Sequence, residues 1–369
     1  MKIVRTLFRL LVGFIFIFSG LVKGIDPMGT VYRMDDYFIA FGTTWASPFS
    51  PYLTILLCTI EFAIGISLFF NLWIKGTAWL LLPMMTFFTI LTFFDAVYNL
   101  VPDCGCFGDA IKLTNVQTFI KNLILMVFVV PIFLWRKNYK PASGFGLQIS
   151  ILLAFFLGFG GMTVYAYRHL PIVDFMPWKV GNTVLKENKE PVRFYVTYKN
   201  RNTGETKEYL APNYPWNDSV WMSQWVFISQ RQANVSQEDL MTLRIEDEAG
   251  NDVTQIFAGI PDYHFFFISY DLTKASEETL LKANHLAYIA SEEGYSFIGI
   301  TSTLSHDVKI IKDKYKLEIP FYFADDVVLK SMIRSNPGLV LIHKGIVTRK
   351  WAWRDFPSFD EAIKPSERQ

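Results

Sequence analysis

The chain has 369 residues, of which 51% are hydrophobic, 17% aromatic and 19% charged, and it is too apolar for an ordinary soluble protein of that length. Its 35 basic and 34 acidic side chains leave a net charge of +1, which gives no global field to attract nucleic acid, so we expect no nucleic-acid partner. Three cysteines are too few for a multi-disulfide scaffold, and their odd number leaves one unpaired.

Five apolar segments in the first 167 residues are long enough to cross a lipid bilayer. A helix needs about 20 mainly apolar residues to do so, and a helix satisfies its own backbone in lipid. The segments are residues 7–23, 51–72, 77–99, 116–135 and 147–167. The sequence therefore predicts a membrane α-helical bundle of five transmembrane helices, for which the lipid bilayer is the first partner.

The basic residues at the ends of these segments predict the orientation, because Lys and Arg in short loops resist translocation. Those before or at the start of the first span, or in the turns after the second and fourth, are Lys2, Arg5, Arg9, Lys75, Arg136, Lys137 and Lys140. We therefore expect a cytoplasmic N-terminus, with residues 24–50, residues 100–115 and everything after the fifth span on the outer side.

Ionisable groups inside the spans are costly and are functional candidates. Glu61 lies about midway along the second span, and Cys58, three residues earlier, shares its helical face. Asp95 follows three threonines spaced by three residues in the third span. Such groups predict a proton path or a quinone pocket between the two spans, with Glu61 as the main residue and Cys58 and Asp95 as accessories. The alternative is that they only hold the helices together.

The outer loop at residues 101–109, VPDCGCFGD, holds two of the three cysteines. A disulfide between Cys104 and Cys106 closes a very small ring, which is hard to form without strain. Strained, exposed disulfides are the labile ones, and Gly105 between the thiols supplies the backbone freedom that such a ring needs. The loop therefore predicts a pair that opens and closes by thiol exchange on the oxidising side of the membrane.

Two other interpretations of the loop remain. A structural staple would restrain little of the unfolded chain, because the ring is so short. A metal site could use the two thiolates with Asp103 and Asp109, but no histidine lies nearby, so we predict no metal ligands.

Residues 168–369 contain no apolar span and no cysteine and should form a soluble outer domain. Residues 190–255 are typical of β-hairpins, with turns at Asn202-Thr203-Gly204 and at Gly250-Asn251. Residues 262–355 then predict strand, helix, strand, helix and a final hairpin that turns at Lys344-Gly345.

This second part resembles the thioredoxin-like fold, and Pro337 in SNPGLVLI stands at the position of that family's cis-proline. The resemblance implies a fold and a docking surface. Where a thioredoxin has its C-x-x-C, this sequence has Asp271-Leu272-Thr273-Lys274, so the domain cannot carry out dithiol exchange by itself.

Residues 1–135 resemble the DoxX/MauE-type membrane proteins, which have four helices and are associated with redox chemistry. The matching stretches are RLLVGFIFIFSGLVKGIDP, CTIEFAIGISL and the CGCFGD loop before the fourth span. The MauE side of the group is linked to disulfide formation in a periplasmic enzyme, and the DoxX side to thiosulfate and quinone chemistry. The resemblance implies a bacterial inner membrane location with the C-terminal domain in the periplasm.

The predicted domains are a four-helix membrane domain (1–140), a fifth transmembrane helix (141–170), a β-rich segment (171–260) and a thioredoxin-like domain (261–369). The leading hypothesis is a thiol-disulfide redox protein in which Cys104 and Cys106 exchange electrons with a periplasmic protein partner and Glu61 assists, with a quinone as a candidate cofactor. The competing hypothesis is a non-catalytic membrane scaffold whose thioredoxin-like domain docks a partner.

Overall fold

The structure is a computed structural model and describes residues 2–140, 143–184, 194–210, 215, 219–232, 243–258 and 262–363. The predicted domain limits near residues 141, 260 and 369 fall outside those ranges. The chain forms two compact units, which are Met1–Met176 with Trp351–Phe356, and Pro177–Lys350 with Pro357–Gln369.

The first unit is helical. Its helices are α1 (Lys2–Ile25), α2 (Pro27–Ala40), α3 (Ser50–Phe70), α4 (Ile74–Tyr98), α5 (Asn115–Leu134) and α6 (Phe145–Arg168). Within the described ranges, all of these except α2 are long and apolar enough to cross a membrane. The span that contains α3 also includes the short 3-10 helix Thr44–Phe49, which precedes it. The five predicted spans overlap these five helices, so the predicted membrane bundle is confirmed.

Helices α1 and α3 pack closely because small residues face each other. A Cβ atom on Gly20 of α1 would lie 2.7 Å from the backbone nitrogen of Phe62 in α3, and one on Gly65 of α3 would lie 2.5 Å from the backbone nitrogen of Ile17. Such contacts let helices approach without a layer of side chains between them. This close approach brings polar residues of α1 next to those of α3.

Helix α2 lies in a stretch that the sequence predicted only as an outer loop, residues 24–50. It starts at Pro27, which occupies the first helical turn where its missing N–H costs nothing. Its first turn is buried, including Met28 and Val31. The sequence signal for this helix is weak because its second half carries charged and aromatic residues without a clear apolar stripe.

The loop between α4 and α5 is fixed at both ends. Helix α4 stops at Asn99 in the left-handed conformation, and α5 starts with a capping box between Thr114 and Gln117. The buried Asn115 side chain donates a hydrogen bond of 2.9 Å to the carbonyl oxygen of Val101. These contacts tie the cysteine-bearing loop to the ends of two membrane helices.

The described residues of the second unit form two sheets. The strands of the larger sheet are β4 (Tyr263–Ser269), β5 (Ser296–Thr301), β6 (Phe321–Phe323), β7 (Gly338–His343) and β8 (Ile346–Ala352). Their order is β6-β5-β4-β7-β8, in which β4 pairs in parallel with β5 and antiparallel with β7, and β5 pairs in parallel with β6. Its helices are α9 (Glu277–Glu292), α10 (Ser305–Tyr315), α11 (Asp326–Met332) and α12 (Phe359–Ile363).

Strand β4 is the centre of this sheet, and its residues Phe265–Ile268 are fully buried, as expected of a strand covered on both faces. The predicted thioredoxin-like α/β fold is confirmed, including the terminal hairpin at Lys344-Gly345. The structure adds β6 and α11 between the second helix and that hairpin. The sequence did not predict them because both are short, and β6 has only three residues.

The smaller sheet has the order β2-β1-β3, with β1 (Phe194–Asn200), β2 (Thr206–Leu210) and β3 (Trp225–Gln232), all antiparallel. Strands β1 and β2 form the hairpin predicted at Asn202-Thr203-Gly204. The described part of this unit also has the short helices α7 (Ser219–Gln224) and α8 (Thr254–Ala258). The second predicted turn has a single antiparallel bridge between Glu246 and Asp252.

Candidate functional site

The two loop cysteines lie side by side as free thiols. Their Sγ atoms are 3.8 Å apart, and both side chains are partly buried. Gly105 between them has a φ of 61°, in the left-handed region that favours glycine. The backbone N–H of Gly108 donates a hydrogen bond of 2.9 Å to the carbonyl oxygen of Gly105. The resulting tight turn points the two sulfur atoms at each other.

Arg33 of α2 holds this turn from the outside. Its Nε donates to Asp103 Oδ1 at 2.5 Å, and its Nη2 donates to Asp109 Oδ1 at 2.9 Å. A Cβ atom on Gly105 would lie 2.1 Å from the Cδ of Arg33, so the turn packs directly on the arginine side chain. Burial disfavours the guanidinium charge, but Asp109 and Asp103 outweigh it and raise the pKa of Arg33. Asp103 and Asp109 therefore bind the loop to α2 through Arg33.

Cys106 faces two cations. The hydrogen bond from Cys104, together with the charges of Lys121 and Lys23, lowers the pKa of Cys106 to about 6 against the opposing effect of burial. Lys121 belongs to α5 and its Nζ lies 4.7 Å from the centre of the Phe107 ring. Lys23 belongs to α1 and is 5% exposed. A thiolate is the nucleophilic form of cysteine, so this arrangement favours Cys106 as the attacking sulfur.

Cys104 faces a phenol and a carboxylate instead. The hydrogen bond to Cys106, followed by burial, raises the pKa of Cys104 well above its usual value. The Tyr37 hydroxyl of α2 interacts with the Cys104 thiol and donates a hydrogen bond of 2.5 Å to Oδ2 of Asp95 in α4. Burial, and then Cys104 and Asp95, raise the pKa of Tyr37. The two thiols of one turn therefore have opposite acidities.

Glu61 lies on the α1 side of α3. It forms a buried ion pair with Lys23, and the Ser19 hydroxyl lies 3.0 Å from its Oε2 and 2.8 Å from the carbonyl oxygen of Cys106. Glu61 is 3% exposed. A buried carboxylate needs such a partner to remain charged. Through Ser19 and Lys23, Glu61 is connected to the Cys106 half of the site.

Cys58 is fully buried in α3 and interacts electrostatically with Lys23 and Glu61. It therefore belongs to the same group of buried polar residues as Lys23 and Glu61. Of the predicted site residues, the structure brings Cys104, Cys106, Glu61, Cys58 and Asp95 into one region. Glu61 approaches the thiols on the Cys106 side and Asp95 on the Cys104 side. The sequence had instead predicted that both residues line one polar path between the second and third spans.

The threonines of the third span form hydrogen bonds within their own helix. The Thr89 hydroxyl donates to the carbonyl oxygen of Met85, and the Thr92 hydroxyl donates to that of Phe88, each at 2.7 Å. Thr92 also accepts a hydrogen bond of 3.1 Å from Asn122 of α5. The bond from Asn122 to Thr92 thus joins α5 to α4, and Thr86 likewise donates to its own helix.

The thioredoxin-like unit has no thiol, since the three cysteines of the chain all belong to the first unit. The Asn336–Pro337 peptide bond before β7 is cis. Asn336 holds the loop after β4, which is the position where a thioredoxin has its cysteines. Its Nδ2 donates a hydrogen bond of 2.8 Å to the carbonyl oxygen of Asp271, and its Oδ1 accepts a hydrogen bond from the Asp271 N–H.

Sequence reasoning missed several contacts of the thiols because their partners come from other helices. Ser19 and Lys23 sit four residues apart near the end of the first span, and that spacing on one helical face was the available signal. Arg33, Tyr37 and Lys121 carry no such signal. The partners of Arg33 and Tyr37 lie 58 or more positions away, and Lys121 acts on Cys106 from the helix after the loop.

Comparison with known proteins finds a matching family model, a similar sequence and a similar solved structure. Residues 1–136 match the family model of the methylamine utilisation protein MauE. Protein TlpB of Flavobacterium psychrophilum is 26% identical over 151 residues, which make up 40% of this chain and 41% of TlpB. The solution structure of a thiol:disulfide interchange protein from Bacteroides sp. aligns with 34% of this chain and 88% of its own, at 16% identity and a TM-score of 0.27.

The MauE match confirms the MauE side of the resemblance over the first four membrane helices. The chain is a multi-pass membrane protein with a MauE-like region followed by a thioredoxin-like unit. It spans less than half the length of TlpB.

Proposed function

We propose that this protein is a membrane-bound thiol-disulfide redox protein in which Cys104 and Cys106 cycle between dithiol and disulfide. The observation that carries the proposal is the unlike pair of thiols 3.8 Å apart, one facing lysines and the other facing Tyr37 and Asp95. The MauE-like region that contains this pair supports a role in disulfide chemistry. The partner is a protein on the outer side of the membrane.

In the oxidising direction for the pair, the Cys106 thiolate attacks a disulfide of the partner, and one partner sulfur leaves as a thiolate. Cys104 then loses its proton and attacks the Cys106 sulfur, so the mixed disulfide breaks and the second partner sulfur leaves. Two electrons pass to the partner, and a Cys104–Cys106 disulfide forms. With a dithiol partner the same steps run in reverse, and the partner becomes oxidised.

The second redox partner in the membrane is a donor or acceptor of two electrons. A quinone or quinol fits that chemistry, although the α4 threonines that would line its pocket bond to their own helix. Glu61 supports the site by holding Lys23 near Cys106. Pro337 and the thiol-free thioredoxin-like unit offer a docking surface for the protein partner.

The test is to express Cys104→Ala and Cys106→Ala separately, quench thiols with acid, and separate the membranes on non-reducing gels. Cys104→Ala should accumulate a reducible adduct with a second protein, because it retains the attacking Cys106 but cannot resolve the intermediate. The double variant should show no adduct, and Cys58→Ala should behave as wild type. If neither single variant forms an adduct and the double variant leaves the redox state of outer proteins unchanged, the scaffold hypothesis replaces this one.

A further inference from the structure

We propose that Tyr37 and Asp95 form a proton-transfer pair that takes the proton of Cys104 when the disulfide closes and returns it when the disulfide opens. This inference rests on the proposed redox function and assigns two catalytic residues to it. It also gives Asp95 a role in proton transfer, whereas Glu61 holds Lys23 near Cys106.

The first observation is a continuous line of three groups. Tyr37 interacts with the Cys104 thiol, and its hydroxyl donates a hydrogen bond of 2.5 Å to Oδ2 of Asp95. A phenol can accept a proton on its oxygen while it gives its own proton to the carboxylate. The hydrogen bond between Tyr37 and Asp95 lies within the reach that general acid–base catalysis requires.

The second observation concerns Asp95. Its side chain is fully buried, and within the described part of the chain its other oxygen, Oδ1, has no hydrogen-bond partner. A buried carboxylate with a single hydrogen bond is costly to keep charged. Accepting a proton removes that cost, so Asp95 is suited to hold one during the cycle.

The third observation is the distribution of charged and titratable groups around the two sulfur atoms. Those that act on Cys104 include Cys106, Tyr37 and Asp95, whereas Lys121 and Lys23 act on Cys106. When Cys104 must lose its proton, Cys106 is already bonded to the partner and can no longer accept one. Tyr37 with Asp95 behind it is then the base that faces Cys104.

The Sγ–H proton of Cys104 passes to the Tyr37 oxygen while the Tyr37 hydroxyl proton passes to Oδ2 of Asp95. The Cys104 sulfur bonds to the Cys106 sulfur, the bond between Cys106 and the partner breaks, and the partner sulfur leaves with the electron pair. On reduction, the leaving Cys104 sulfur recovers its proton along the same line.

This cycle predicts an unusual pH dependence. With Cys106 as a thiolate and the Cys104 proton retained on Asp95, closing the disulfide releases no proton to water between about pH 7 and pH 8. The equilibrium constant for reduction of the pair by a dithiol buffer, corrected at each pH for the two protons that the buffer itself releases on oxidation, should then be constant in this range. Without Asp95, one proton is released for two electrons, and the constant should change tenfold for each pH unit.

The experiment uses the full chain in lipid nanodiscs, equilibrated with the dithiol buffer at several pH values, with the free thiols counted by alkylation and gel shift. Asp95→Asn should show the tenfold change per pH unit. In Tyr37→Phe, closing of the disulfide in stopped-flow mixing with an oxidised dithiol should slow by about 100-fold, the loss typical for a general base. Tyr98→Phe, which removes an exposed phenol from the same helix as Asp95, should match wild type in both measurements.

A pH-independent constant in folded Asp95→Asn, or a wild-type closing rate in Tyr37→Phe, would overturn the proposal. If Asp95→Asn does not fold, the Tyr37→Phe rate decides. These results are distinct from a failure of the proposed function, in which the wild-type pair itself would neither close nor open with the buffer.

Discussion

In the proposed cycle Cys106 attacks and Cys104 resolves, and the different surroundings of the two thiols support these two roles. Cys106 shares its turn with a hydrogen-bond donor, Cys104, and lies near two lysines. Opposite charges close to an ionisable group favour its charged form. At neutral pH, Cys106 is therefore largely a thiolate, and Cys104 retains its proton.

This acidity should be visible in alkylation. Because the thiolate is the reactive form, the alkylation rate of Cys106, followed by peptide mass spectrometry, should rise as the pH passes about 6. Lys121→Gln should move this midpoint upward by about one pH unit, since it removes a cation that lowers the pKa. Lys112→Gln, an exposed lysine of the same loop, is the control and should leave the midpoint unchanged. An identical midpoint in Lys121→Gln would exclude that lysine as the stabilising charge.

A second feature at this scale is the buried pair of Lys23 and Glu61. Breaking a buried ion pair by neutralising one partner costs about 3–5 kcal/mol of stability, whereas replacing both with uncharged residues is often neutral. Glu61→Gln should therefore lower the thermal unfolding midpoint in detergent, and Glu61→Gln with Lys23→Met should recover most of the loss. Equal losses in the single and double variants would show that the charges are not coupled.

At the scale of elements, the loop between α4 and α5 keeps its conformation because α2 covers it. Arg33 binds Asp103 and Asp109 on either side of the cysteines, and Gly105 rests on the arginine side chain. The loop is thus held by Arg33 on one side and by the ends of α4 and α5 on the other. Its shape depends on a backbone conformation that a side chain would disturb.

Two glycine substitutions separate the effects of backbone and contact. Gly105→Ala and Gly108→Ala both place a side chain at positive φ, 61° and 54°, which costs about 1–2 kcal/mol. A Cβ on Gly105 also meets Arg33 at 2.1 Å, whereas the nearest atom to one on Gly108 is the Lys23 Cγ at 3.6 Å. Gly105→Ala should therefore slow oxidation of the thiol pair by a chemical oxidant far more than Gly108→Ala. Equal rates in the two variants would show that the contact with Arg33 does not shape the turn.

At the scale of the whole molecule, the basic residues at the helix ends predict that the loop and everything after α6 lie on the outer side. Protease added outside spheroplasts should then remove the chain after about residue 170 and leave the five spans protected, as detected with an antibody against the N-terminus. Lysed spheroplasts serve as the control for intrinsic protease sensitivity. Cleavage of the C-terminal unit only after lysis would reverse the orientation and place the cysteine loop in the cytoplasm.

The sequence determined those features that depend on local pattern. Runs of apolar residues predicted the five membrane helices, because lipid requires a continuous helix of a certain length. Alternating strand and helix patterns predicted the thioredoxin-like unit, and the CGC spacing singled out the thiol pair. The short β6 and α11 were missed because three to seven residues carry too little periodicity to be distinguished from a loop.

The tertiary structure alone decided which residues surround the two thiols. Arg33 and Tyr37 come from a helix that the sequence did not predict, and their partners lie 58 to 76 positions away. Glu61 and Asp95, which a shared polar path would have joined, are directed to different cysteines. Contacts between residues so far apart are set by how the helices pack, and a local sequence pattern contains no record of that packing.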